Sequence, residues 1–119
     1  MINRKLANII VPLTKKATNS IFRYEFDDSD FALFALGKDE VYCIIDSPIS
    51  KIINKHVDIG LDIFEEEECV DDIHKLKLMK KELEEIENQL NGVIKHYNLI
   101  IISLLNIAIT KETGVFFYF

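Results

Sequence analysis

Glycine, proline and cysteine are scarce in this chain of 119 residues, at four, two and two, and each shortage closes off a class of function. The glycines at 37, 60, 92 and 114 stand too far apart for a glycine-rich phosphate loop or a dinucleotide fingerprint, both of which need several within one turn. Two cysteines, Cys43 and Cys69, make no disulfide framework and read as reduced thiols of a cytoplasmic protein. Long apolar runs are also missing. Ile9, Ile10 and Val11 are bracketed by Asn8 and Pro12, too short for a signal core, and the run Leu99 to Ile109 is too short to span a bilayer. The expectation is a soluble, intracellular protein with no membrane partner. Apolar residues make up 49% of the chain, enough for the core of a single domain over residues 1–119 without covalent staples.

Charge is unevenly spread. Residues 1–23 carry Arg4, Lys5, Lys15, Lys16 and Arg23 and no acid, whereas residues 24–72 carry fifteen acids against three bases, a balance of −12 within a net charge of −6. Such a field repels nucleic acid and draws basic surfaces, so the expected partner is a basic protein. The acids expected to meet it are Glu65, Glu66, Glu67 and Glu68 with Asp71 and Asp72.

The strongest pattern is a seam of apolar residues spaced alternately three and four apart: Leu76, Met79, Leu83, Ile86, Leu90, Val93, Tyr97, Ile100, Leu104 and Ile107. From Leu76 to Tyr97 the residues off the seam are nearly all polar, which describes a two-sided amphipathic helix. From Leu99 onward almost every residue is apolar, so the register there is not separable from a helix buried all round. Read as one helix over residues 72–113, the segment is a rod of roughly 60 Å, longer than a core of this size is wide. Ten such side chains left in water would forgo on the order of 20 kcal/mol, so the rod must pair. The seam residues are therefore the expected interface of a homo-oligomer, most simply a dimer, with Lys75, Lys80, Glu82 and Glu87 pairing along its flanks. On that reading, replacing Leu83 and Ile86 by Asp dissociates the oligomer. Asn91 with Gly92 is the point where the rod can break into a helical hairpin; continuity is favoured because the heptad phase passes through the glycine unchanged.

Upstream, residues 1–70 read mainly as short strands. Ile9 to Leu13 is a short strand that Pro12 confines to a sheet edge or a bulge. Phe22, Tyr24 and Phe26 alternate with charged residues, and FALFAL, GKDE and VYCII read as a hairpin with a four-residue loop, apolar on both faces and so central. Ser47 and Pro48 start a short helix at about 48–57, and Ile59, Leu61 and Ile63 mark another strand. Asp71 or Asp72 caps the long helix, Gly114 supplies its left-handed stop, and VFFYF at 115–119 is either a last strand, the favoured reading, or an exposed docking tail. The expected class is α+β: a small antiparallel sheet of about four to six strands, one short helix and one long C-terminal helix.

Chemistry is thinly marked. Cys69 and His74, five apart among Glu68, Asp71 and Asp72, are the nearest thing to a zinc site or a nucleophile pair, but the acids would raise the thiol's pKa. Neither a metal, a cofactor nor a catalytic set is expected. The reading is a non-enzymatic protein-binding module, such as an adaptor, a chaperone-like factor or an inhibitor encoded by a phage or mobile element. Two alternatives stand beside it: an oligomer that sequesters a small ligand, with the basic residues of the first 23 as anion contacts, and a small Cys/His enzyme.

Overall fold

A computed structural model of the chain describes residues 7–22, 30–57 and 67–118. Its elements are β1 (Ala7–Pro12), α1 (Lys15–Phe22), β2 (Phe31–Leu36), α2 (Lys38–Ile45), α3 (Pro48–Ile53), β3 (Glu67–Val70), α4 (Ile73–Ile86), α5 (Gly92–Lys111) and β4 (Val115–Tyr118). The four strands form one antiparallel sheet in the order β2-β1-β4-β3. The architecture is α+β, as the grouping of elements implied.

Alternation along β1 sets the two sides of the sheet. Ile9 and Val11 point into the main core with Leu36, Val115 and Phe117, where α2 to α5 cover them with Ile44, Ile49, Leu76, Met79, Leu83 and Ile101. Ile10 points the other way, into a smaller cluster with Phe31, Phe116 and Ala17 of α1. Pro12 does not force β1 to an edge, because it is the last residue of the strand and lies beyond the reach of β4, which pairs only with residues 8–10. Its carbonyl instead accepts the hydroxyl of Thr113 at 2.7 Å.

VYCII is helical, and the hairpin expected there is absent. GKDE is a helix start: Gly37 is the extended residue before α2, its N–H donates to the Glu40 carboxylate at 3.0 Å, and Asp39 and Glu40 lie in the first turn. Val41 and Ile44, three apart, then bury one side of the helix, and tertiary burial outweighs their strand propensity. FALFAL is therefore, among the described strands, at the edge of the sheet and not central. Phe22 ends α1, while Tyr24, Phe26 and the strand expected at 59–63 lie outside the described residues. The Ser47 cap, the α3 helix and the last strand over 115–118 stand as read from the sequence.

The long helix breaks. α4 tightens into a single 3₁₀ turn at Glu87–Gln89, Leu90 and Asn91 are extended, and Gly92 turns the chain at φ +58°. α5 then returns against α4. The seam's phase does not carry through the break: on α5 the fully buried line is Asn98, Ile101, Leu105 and Ala108, one residue on from the seam, a shift that the uniformly apolar run hides. Asp72 caps α4 by accepting the N–H groups of His74 and Lys75 at 2.8 and 3.2 Å. The left-handed residue that ends α5 is Glu112, at φ 55°, and not Gly114. Gly114 serves close approach instead: a Cβ there would lie 2.9 Å from Val70 O and from Asp71 Cβ.

α5 is long and apolar enough to cross a membrane by length and composition. Its Ile101, Leu105 and Ala108 are fully buried in the core, whereas Val93 and Leu99 are exposed.

Candidate protein-binding surface

The break in the helix redirects the seam. Leu76, Met79 and Leu83 are completely buried within one chain, and Leu90, Tyr97 and Leu104 nearly so. Ile86, Ile100 and Ile107 are half-buried against the same core, and only Val93, at 56%, is exposed. The demand for a partner that an unbroken rod would create is met inside the chain. On α5 the buried side also includes Asn98, Ile101, Ile102, Leu105 and Ala108, residues off the seam that the uniform apolar run concealed.

Asn98 locks the hairpin. The Glu87 N–H turns to Glu84 O as α4 tightens, which frees the Leu83 carbonyl, and the buried Asn98 Nδ2 donates to that carbonyl at 3.1 Å. Asn98 Oδ1 has no partner.

Two of the four flanking charges expected to reach a second helix, Lys80 and Glu82, are engaged locally. Glu82 accepts from Lys55 at 2.9 Å and bonds His56 Nε2 at 2.8 Å, and Lys80 lies 3.7 Å from Glu84. The Lys55 bond first and the His56 bond second hold the Glu82 pKa below the usual value. Tyr97 donates to Glu40 at 3.0 Å, and burial, reinforced by that carboxylate, raises its pKa. These groups tie α2, α3, α4 and α5 together.

Of the acids expected to meet a partner, Asp71 and Asp72 are exposed, and Asp72 is occupied as the α4 cap, its pKa lowered by the amides of Lys75 and then His74. Glu67 and Glu68 belong to β3, and Glu65 and Glu66 lie outside the described residues. Cys69 and His74 are not assembled into a reactive pair: Cys69 packs with the Ile10 and Phe116 cluster, while His74 is exposed on the first turn of α4. Neither Cys43 nor Cys69 is in a disulfide, and the described residues hold no group of His, Cys, Asp and Glu placed to bind a metal.

A surface with unspent bonding capacity among the described residues is the outer edge of β2. The bond from Leu13 N–H to Asp30 O, at 2.8 Å, fixes the phase of the ladder, so the backbone groups of residues 32, 34 and 36 face β1 and those of Leu33 and Ala35 face outward. Pro12, opposite Phe31, fits that phase, since its missing N–H falls where β1 turns away from β2. No described strand pairs with Leu33 or Ala35. Leu33 is 44% exposed and Ala35 is exposed, while Phe34 on the opposite side packs toward Tyr97 with ring centroids 6.1 Å apart. The edge is apolar from Phe31 to Leu36. β3, at the other end of the described sheet, is shorter, four residues against six. Leu33 and Ala35 escaped the sequence reading because a wholly apolar strand is ordinarily a central one. Comparison with known protein families, with curated proteins and with solved structures finds no match to this chain.

Proposed function

We propose that this chain is a non-enzymatic, cytosolic protein-binding module that takes up a strand of another protein chain along β2. The observation that carries the reading is the open β2 edge, where the N–H and C=O groups of Leu33 and Ala35 project outward from an uncharged strand. Strand addition draws its affinity from such backbone groups and its selectivity from the side chains that alternate beside them. Six apolar residues without proline or charge provide both, and the rigid ladder to β1 holds the template in extended form so that little ordering is required on binding. The net charge of −6 adds long-range attraction for basic partners, which bears on the rate of encounter more than on the strength of the complex.

The reading is tested by placing a photoreactive amino acid at position 35, irradiating the living source cell, and identifying the adduct. A protein adduct that forms at position 35 and not at the exposed control position 106 on α5 is the expected result. Absence of any adduct specific to position 35 refutes strand addition at this edge.

A further inference from the structure

Composition and position disagree at β2. Six residues with no polar side chain describe a strand with neighbours on both sides, yet among the described residues this strand has one, β1. We propose that the second neighbour is β2 of a second copy, paired antiparallel about a twofold axis so that two four-stranded sheets become one continuous sheet. The proposal rests on the strand-addition reading above and names the chain that is added.

The side chains select a second copy and its register. Setting Leu33 opposite Ala35 engages the outward backbone groups of both residues on both chains at once. The same register opposes Ala32 to Leu36 and Phe34 to its own counterpart on the axis, so large residues meet small ones on either side of a central aromatic pair. It also brings Asp30, just before the strand, opposite Lys38, just after it. Lys38 is exposed in the first turn of α2, where a cation is poorly placed against the helix dipole and a facing carboxylate offsets the mismatch. Sliding the pair by two residues would put Asp30 against Leu36 in one direction and against Glu40 in the other, losing the attraction or reversing it. A self-complementary strand flanked by opposite charges is what an isologous interface requires.

Sedimentation velocity on the full chain over a concentration series is the test. The wild type is expected to be dimeric, and Ala35→Pro monomeric with an unchanged circular dichroism spectrum, since the amide removed faces away from β1 and no internal bond is lost. Should the proline disturb the strand, Ala35→Lys at the same exposed position makes the same prediction through charge repulsion. Lys38→Asp is expected to weaken the dimer roughly ten-fold, and addition of Asp30→Lys to restore it. A monomeric wild type at all concentrations overturns the proposal, as does a dimer that neither Ala35 variant weakens or a charge swap that fails to rescue. If the wild type is monomeric while position 35 still yields an adduct with a different protein, self-pairing fails and strand addition stands.

Discussion

Replacing Asn98 by Asp exchanges one amide for one carboxyl at a site with no exposure to solvent, and it converts the α4–α5 lock into a pH-dependent one. In the wild type the amide donates to the Leu83 carbonyl, which has lost its helical partner to the 3₁₀ turn. An ionised carboxylate has no proton to donate and sets negative charge against that carbonyl; a protonated one donates an O–H in the amide's place. Burial and the facing carbonyl both favour the protonated form, so the folded-state pKa of the introduced carboxyl lies above its unfolded value of about 3.9. Between the two values the folded state binds more protons than the unfolded state, and stability falls as pH rises. With a folded pKa raised by about three units, the deficit relative to wild type grows by about 3 kcal/mol between pH 4 and pH 7. That is a large share of the roughly 5–15 kcal/mol of an ordinary domain. Urea denaturation of both proteins at pH 4, 5, 6 and 7 measures it, the wild type's own pH dependence being subtracted. A deficit constant across this range would show that the site is hydrated or that Asn98 does not hold Leu83, and the account of the hairpin would fail.

Gly114→Ala forces a Cβ to within 2.9 Å of the Val70 carbonyl, where backbone has to shift, and is expected to cost about 1–3 kcal/mol in thermal unfolding. Gly92→Ala meets no neighbour and is expected to cost about 1 kcal/mol, from its φ of +58° alone; equal losses at the two positions would contradict the distinction between crowding and backbone strain. Glu82→Gln is expected to lower the melting temperature at neutral pH by removing the bonds to Lys55 and His56. Because the folded pKa of Glu82 is depressed, its contribution is complete above the ordinary carboxylate range and is lost as pH falls through the folded value, so the gap between the variants closes toward pH 3; a gap that widens on acidification would refute the sign. Leu83→Asp is expected to unfold the chain and not merely dissociate it, since Leu83 is wholly buried within one copy; a folded monomer by circular dichroism would restore the seam to an intermolecular role.

The sequence carried those features whose cause is local. Ser47 and Pro48 announced α3, Asp72 announced α4, and the short apolar run from Ile9 announced β1. Features decided at a distance were misread. VYCII has the composition of a strand and became a helix because Glu40, three residues after Gly37, completes a cap and because Val41 and Ile44 meet the core together. The Asn91–Gly92 turn was visible as a possibility, but the uniformly apolar run on α5 hid the shift of the buried line that accompanies it. The β2 surface was legible only as composition: FALFAL showed that the strand avoids water, and the strand order was needed to show that one of its edges lacks a neighbour among the described strands.

The contact between β1 and β4 has a consequence for how this chain comes into being. Ile10 pairs with Phe116, and the Thr113 hydroxyl reaches Pro12, so the middle of the sheet is closed by residues about a hundred positions apart. Closing a loop of that length costs about 2 kcal/mol more than closing one of ten residues. During synthesis β1 and β2 leave the ribosome long before β4, and among the described strands β3 is joined to the sheet through β4 alone. The nascent chain must carry its apolar strands unpaired on one side until Val115 to Tyr118 emerge, and the late arrival of four residues then completes the sheet in one step.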